Sequence, residues 1–281
     1  MARYRIGLLS SYTVLAIATA TASVGAGAEP PTAVEIFAAG SLRGVVSDLA
    51  AAVGPAFGIS VKPNFGGSGS LRERVEHGEH PDLLLSADLG SPRKLESAGR
   101  TFIPATAFAR NRMCIVSLRT SGLTAANLID HLVTRGVRVK TSTPVADPGG
   151  DYAWAIFDRI EKLRPGSGAL LKEKALTLMD VVATPTVTDQ SAAAALFASG
   201  RIDVSITYCS AAAGLERELP ELTSLVVPPA LDPHPTYGLA VLSDKPAALK
   251  VALFLLSEKG QEIIAKNGLV PLLDRVVPEN R

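Results

Sequence analysis

The stretch Val34-Glu35-Ile36-Phe37-Ala38-Ala39-Gly40-Ser41-Leu42 sets a pattern that returns at Ile59-Ser60-Val61-Lys62-Pro63-Asn64-Phe65-Gly66-Gly67-Ser68-Gly69-Ser70-Leu71. Each reads as a short strand, a glycine and serine turn, and the start of a helix. After the first turn, Leu42, Val45, Val46 and Leu49 recur at helical spacing. Glycine ahead of the serine lets the backbone turn sharply. A serine at a helix start either caps one amide, or stands beside free amides and the positive helix end as a donor to an anion. Both readings are open from these residues alone. At the ends of neighbouring parallel strands in an open α/β sheet, two such turns would face one ligand at the topological switch point.

Length and composition narrow the classes. The 281 residues exceed the usual single domain, so two domains are expected. With 47% apolar and 20% charged residues, the chain reads as globular rather than disordered. A formal charge of +1 and 5% aromatic residues leave no basic, aromatic-laced face for nucleic acid.

The first 28 residues read as a secretion signal. Arg3 and Arg5 form a basic start, 6–24 a mostly apolar core, and Ala26-Gly27-Ala28 a small-residue cleavage pattern, with Glu29 the first mature residue. A retained membrane anchor is the alternative, although Ser10, Ser11, Tyr12 and Thr13 interrupt the apolar run. No cysteine stands near the cleavage point. The two cysteines, Cys114 and Cys209, lie in apolar strand-like runs. An oxidising compartment would permit them to pair, but buried free thiols are the reading favoured here.

Further along, Pro81-Asp82-Leu83-Leu84-Leu85-Ser86 reads as a strand covered on both faces. His77 and His80 beside Glu76 and Glu79 could be drawn as a metal site, but no further ligand motif follows. A strand at 111–118 is taken as the crossing into a second domain. There the turn Ala146-Asp147-Pro148-Gly149-Gly150-Asp151 opens a helix over 152–163, with Asp151 as the expected N-cap and main-chain amides as the donors. Thr186-Val187-Thr188-Asp189-Gln190-Ser191 leads into a helix at 192–198, and a strand at 202–208 ends on Tyr208. The strand beginning Tyr237-Gly238-Leu239 crosses back, and two helices, 247–256 and 260–266, close the fold. Two crossings imply a discontinuous first lobe, 29–112 with 238–281, around a second lobe at 113–237.

With these motifs in order, the chain resembles the periplasmic molybdate-binding proteins, two-lobed (type II) solute-binding proteins that serve ABC importers. The likeness covers nearly all of the mature chain. It is carried by Phe37-Ala38-Ala39-Gly40-Ser41-Leu42, Phe65-Gly66-Gly67-Ser68-Gly69-Ser70-Leu71, Pro81-Asp82 through Ser86-Ala87-Asp88, Asp147-Pro148-Gly149-Gly150 and Gly260-Gln261-Glu262-Ile263-Ile264. The resemblance implies an α/β fold of two lobes, each a mainly parallel sheet flanked by helices, with the ligand in the cleft. It implies that Ser41 and Ser68 offer hydroxyl and amide, Gly149 and Gln190 an amide, and Tyr208 a phenolic hydroxyl. The implied ligand is a tetrahedral oxyanion, molybdate or tungstate, held without a cofactor and without a metal bound directly. The implied partner is a membrane ABC permease, and the protein is expected to be a periplasmic monomer. Asp151 departs from the family pattern by setting a carboxylate near the anion.

A reading from another class is a secreted serine hydrolase. Gly66-Gly67-Ser68-Gly69 begins like a nucleophile elbow, and Asp203 and His234 follow in Ser, Asp, His order. Ser70 stands where the elbow needs its second glycine, and His234 lies between prolines. A phosphate-binding loop fails because no Gly-Lys-Ser or Gly-Lys-Thr follows the glycines.

Overall fold

Strand β1 (Thr32–Ala39) runs parallel to both its neighbours, β2 (Ile59–Gly66) and β3 (Leu83–Ser86). Its side chains divide between two covered faces. Ile36 and Ala38 pack with Val45 and Leu49 of α1 (Arg43–Phe57), while Phe37 packs with Leu71 and Val75 of α2 (Ser68–Glu76) and Leu95 of α3 (Gly90–Ser97). A strand covered on both sides needs an apolar run rather than strict alternation, and Leu83, Leu84 and Leu85 are all fully buried for the same reason. Asp82 clasps the strand starts: its N–H donates to the Glu35 carbonyl, its carboxylate accepts from the Glu35 N–H at 2.9 Å, and Lys245 reaches the same carboxylate.

The computed structural model describes Met1 and residues 31–181 and 191–272. The expected leader therefore lies, but for Met1, outside the described residues. From Pro31 on, the chain forms one compact unit built on two sheets. The larger has the order β10-β4-β9-β3-β1-β2, with β4 (Thr106–Arg110), β9 (Thr236–Val241) and β10 (Val270–Pro271) completing it. The smaller has the order β6-β7-β5-β8, from β5 (Met113–Leu118), β6 (Val139–Lys140), β7 (Val204–Tyr208) and β8 (Leu222–Val226).

Both sheets are mixed rather than mainly parallel. Strand β9 is antiparallel to β3 and β4, and β5 is antiparallel to β7 and β8. The cause is where the chain changes sheet. It leaves through Asn111 and Arg112 at the end of β4 and returns at the start of β9, which pairs Gly238 with Ser86 at the end of β3. A strand entering at the carboxyl ends of β1 and β3 must run against them. Tyr237, expected as the last residue of the second lobe, thus pairs within β9 of the larger sheet.

Helices α9 (Pro246–Leu256) and α10 (Glu258–Lys266) cover the larger sheet, with Val251, Leu255 and Ile264 in its core. On the smaller sheet, α5 (Pro148–Leu163) buries Ala153, Ile156, Phe157 and Ile160 at the expected spacing. Beside it lie α6 (Ser167–Leu176) and α4 (Leu128–Val133), while α7 (Ala192–Ala198) packs on the other face with Cys114 and Val116. No helix among the described residues is long and apolar enough to cross a membrane.

Cys114 and Cys209 form a disulfide, which corrects the expectation of free thiols. Antiparallel pairing sets Cys114 opposite Thr207, two residues before Cys209, and the Cα atoms lie 4.8 Å apart. The bond ties β5 to the first residue of α8 (Cys209–Glu218), directly after Tyr208. It closes 95 residues of sequence. In the chain-entropy model such a loop is worth up to about 4.7 kcal/mol. Replacing both cysteines with alanine is expected to lower the melting temperature markedly; an unchanged melting temperature would contradict a bridge formed in the native protein.

Candidate functional site

Neither serine of the repeated turns caps a helix. Ser41 lies in a single 3-10 turn (Gly40–Leu42) ahead of α1, and no side chain caps that helix. Its Oγ is 3.0 Å from the Tyr237 hydroxyl. Ser68 is the first residue of α2 and fully buried, and its Oγ accepts the Ala87 N–H at 3.0 Å. A serine oxygen occupied as an acceptor keeps its own hydrogen for another group. Ordinary capping, one of the two readings of these turns, is thereby excluded for both hydroxyls.

Tyr208 ends β7 at the start of α8 and is 6% exposed. Its hydroxyl is buried and has no hydrogen-bond partner among the described residues. The ring packs edge-on against Tyr237 at 5.6 Å and against Tyr152 at 6.2 Å. Burial pushes the Tyr208 phenol well above its ordinary range, helped by Tyr237, Asp147, Tyr152 and Asp88. Tyr208 is therefore a neutral donor, and Ser41 approaches it through Tyr237.

The second contribution to the site is the loop before α5. The N-cap is Asp147, whose carboxylate accepts the Gly149 N–H at 2.9 Å. Asp151, expected there, instead sits in the first helical turn and accepts the Val145 N–H at 2.9 Å. The reason is Pro148, which fits the first helical position and moves the helix start four residues earlier than Tyr152. Gly149 packs against Tyr208, since a Cβ there would lie 3.5 Å from its ring, but its amide is already bonded to Asp147.

This loop meets the Ser68 turn backbone to backbone. Ser70 N–H donates to the Ala146 carbonyl at 3.3 Å. A Cβ on Gly67 would collide with the Ala146 carbonyl, and one on Gly69 with the Val145 carbonyl. Val145 has φ 70°, a left-handed conformation disfavoured for a branched residue, and the Asp151 carboxylate holds its N–H there. Clefts flank the contact, one of about 540 Å³ lined by Arg72, Lys94, Tyr152 and His234, the other of about 440 Å³ lined by Ser70, Ser142 and Thr207.

Four of the five expected residues, Ser41, Ser68, Gly149 and Tyr208, thus belong to one neighbourhood. Gln190 lies outside the described residues. The sequence reading missed Tyr237, Asn111 and Asp147. Asn111 donates from Nδ2 to Tyr237 Oη at 3.2 Å and to Ser210 Oγ at 2.9 Å. A polar residue held between two strand-like runs, and a tyrosine opening a strand, were the available signals.

The hydrolase constellation does not assemble. Asp203 pairs with Arg138 at 2.7 Å, and His234 is exposed with its ring 3.7 Å from Asp232. No bond joins either to Ser68 among the described residues. Nor does any group of three or more His, Cys, Asp or Glu side chains there suit a metal ion, His77 and His80 included.

Asp147 supplies a pH signature. Burial raises its carboxyl above the ordinary value of 3.8; the Gly149 N–H and Ser142 oppose the rise, and Asp151 and Asp88 add to it. A raised carboxyl contributes its stability fully below its unfolded value and loses it as pH climbs through the folded one. Asn keeps the cap without the charge. Asp147→Asn is therefore expected to melt above the native protein at about pH 7, with the gap closing on acidification towards about pH 4. A gap independent of pH would contradict the raised carboxyl.

Comparison with known proteins places the fold. Protein PM1146 of Pasteurella multocida (strain Pm70), itself uncharacterized, is 34% identical over 241 residues, spanning 84% of this chain and 98% of the relative. Among solved structures, the sulfate-binding protein SubI from Mycobacterium tuberculosis H37Rv shares the fold with a TM-score of 0.70 at 17% identity, covering 86% of this chain and 87% of that one. The Azotobacter vinelandii periplasmic molybdate-binding protein gives 0.64 at 19% identity, covering 84% and 98%. Iron-bound HitA from Pseudomonas aeruginosa gives 0.61 at 21%, covering 87% and 88%. These show a shared two-lobed α/β fold. The model of the bacterial extracellular solute-binding protein family matches residues 34–270, and the chain belongs to that family.

Proposed function

We propose that this protein captures a tetrahedral oxyanion, molybdate or tungstate, and hands it to a membrane ABC importer. Proteins of its family are extracellular binding proteins that deliver small ligands to such permeases. The observation that carries the oxyanion reading is the buried Tyr208 hydroxyl, which has no partner among the described residues, in the same neighbourhood as the Ser68 hydroxyl, whose oxygen already accepts the Ala87 N–H, and the Ser41 hydroxyl, which bonds to Tyr237. Such a group of neutral donors lacks one thing, an acceptor with several oxygens. Hydrogen bonds to an ionised acceptor are about twice as strong as neutral ones, so no buried Arg or Lys is required. In this reading Ser41, Ser68 and Tyr208 donate hydroxyl hydrogens. Gly149, if its amide turns from Asp147, and Gln190 donate main-chain ones. Residues 1–28 are a cleaved leader, and the two lobes, with β9 from Thr236 returning to the first, close on the anion as a monomer.

HitA carries iron, and Asp147 near Tyr208 gives that chemistry a specific footing here. Against it stands the donor set, since no group of three or more His, Cys, Asp or Glu side chains among the described residues could hold a metal ion.

Melting of the mature protein with molybdate, tungstate, sulfate, phosphate or ferric iron decides between these. Ligand at 100 times its dissociation constant adds about 2.7 kcal/mol, a shift of several degrees for a protein of this size. Molybdate or tungstate is expected to give the largest rise. A rise with ferric iron alone, or with none of the five, would overturn the reading.

A further inference from the structure

We propose that Tyr237 and Asn111 are positioning residues that fix the direction of the Ser41 hydroxyl, so that a one-way chain of hydrogen bonds aims its hydrogen at the bound anion. The inference rests on the oxyanion reading, but its first half concerns the free protein alone.

The chain begins where the polypeptide passes from β4 to β5. Asn111 is 4% exposed there, and Arg112 N–H donates to its Oδ1 at 2.9 Å. That bond settles the amide orientation: Oδ1 faces the backbone, and Nδ2 faces inward to Tyr237 and Ser210. An amide nitrogen only donates. Tyr237 Oη, whose two partners are Asn111 Nδ2 and Ser41 Oγ, therefore accepts from the first and has only the second to receive its single hydrogen. The reverse arrangement, with Ser41 donating to Tyr237, would leave the phenol hydrogen buried without an acceptor among the described residues, which is costly. The direction Asn111 to Tyr237 to Ser41 satisfies every group, and the hydrogen left over belongs to Ser41.

Packing holds the relay in place. Tyr237 is fully buried and edge-on to Phe108 at 6.1 Å and to Tyr208 at 5.6 Å, so the ring has no room to swing. Bonds in such a chain polarise one another, and a serine that accepts from a phenol is a better donor than one that does not. Ser68 follows the same rule through the Ala87 N–H. Each serine oxygen is supplied with a hydrogen from the protein, and each serine hydrogen is left for the ligand.

Two measurements test this. In a neutron crystal structure of the ligand-free protein, the deuteron between Tyr237 and Ser41 is expected on Tyr237 Oη; a deuteron on Ser41 Oγ at that contact would overturn the relay whatever the ligand. In calorimetry with molybdate, Tyr237→Phe is expected to bind about tenfold more weakly, which is about 1.4 kcal/mol. The ring is retained, and the melting temperature of the free variant checks its fold. The double variant Ser41→Ala, Tyr237→Phe is expected to bind no more weakly than Ser41→Ala alone. Native-like affinity in Tyr237→Phe, or losses that add in the double variant, would overturn the inference while leaving oxyanion binding standing. If the native protein binds neither molybdate nor tungstate, the functional reading falls, and the proposed delivery to an anion falls with it.

Discussion

A phenolic hydrogen buried away from water needs an acceptor, and the Tyr208 hydroxyl has none among the described residues. Leaving such a group unpaired costs about 1–3 kcal/mol. Much of the surrounding structure serves to keep it there. Strand β7 carries the residue at its carboxyl end, the Cys114–Cys209 bond anchors the next residue, and Tyr152 and Tyr237 press on the ring from two sides. An arriving acceptor removes that cost, so the strain of the free site becomes affinity for the ligand.

Beside that site two backbones come into direct contact. The Ser68 turn and the loop at 145–147 touch through carbonyls and amides, with Gly67 and Gly69 supplying the missing side chains. Van der Waals contact at that distance leaves no layer of water between them. Donors enclosed there act in a medium less polarisable than water, where each hydrogen bond to an anion is stronger. The same enclosure raises the cost of the Asp147 carboxylate, whose charge lies on the wrong side of the balance for an anion site. Its retention is explained locally, because it caps α5.

The local devices were legible in the sequence and the long-range ones were not. The turns at Ser41 and Ser68, the apolar β3, the body of the helix over 152–163 and the strand ending on Tyr208 follow from patterns a few residues long. The partner of Ser41 is Tyr237, 196 residues away, and no periodicity links them. The same holds for the disulfide, which depends on strand register, and for the antiparallel entry of β9, which depends on the end of the sheet to which the chain returns. Asp147 and Asp151 are both plausible caps by type. Only Pro148, occupying the first helical position, decides between them.

The central claim is that the free hydrogens of Ser41, Ser68 and Tyr208 converge on one anion. Anomalous diffraction from crystals grown with tungstate locates the heavy atom directly. Its oxygens are expected at hydrogen-bond distance, about 2.5–3.0 Å, from Tyr208 Oη, Ser41 Oγ and Ser68 Oγ together. A peak elsewhere, with the Tyr208 hydroxyl still unpaired, would contradict it.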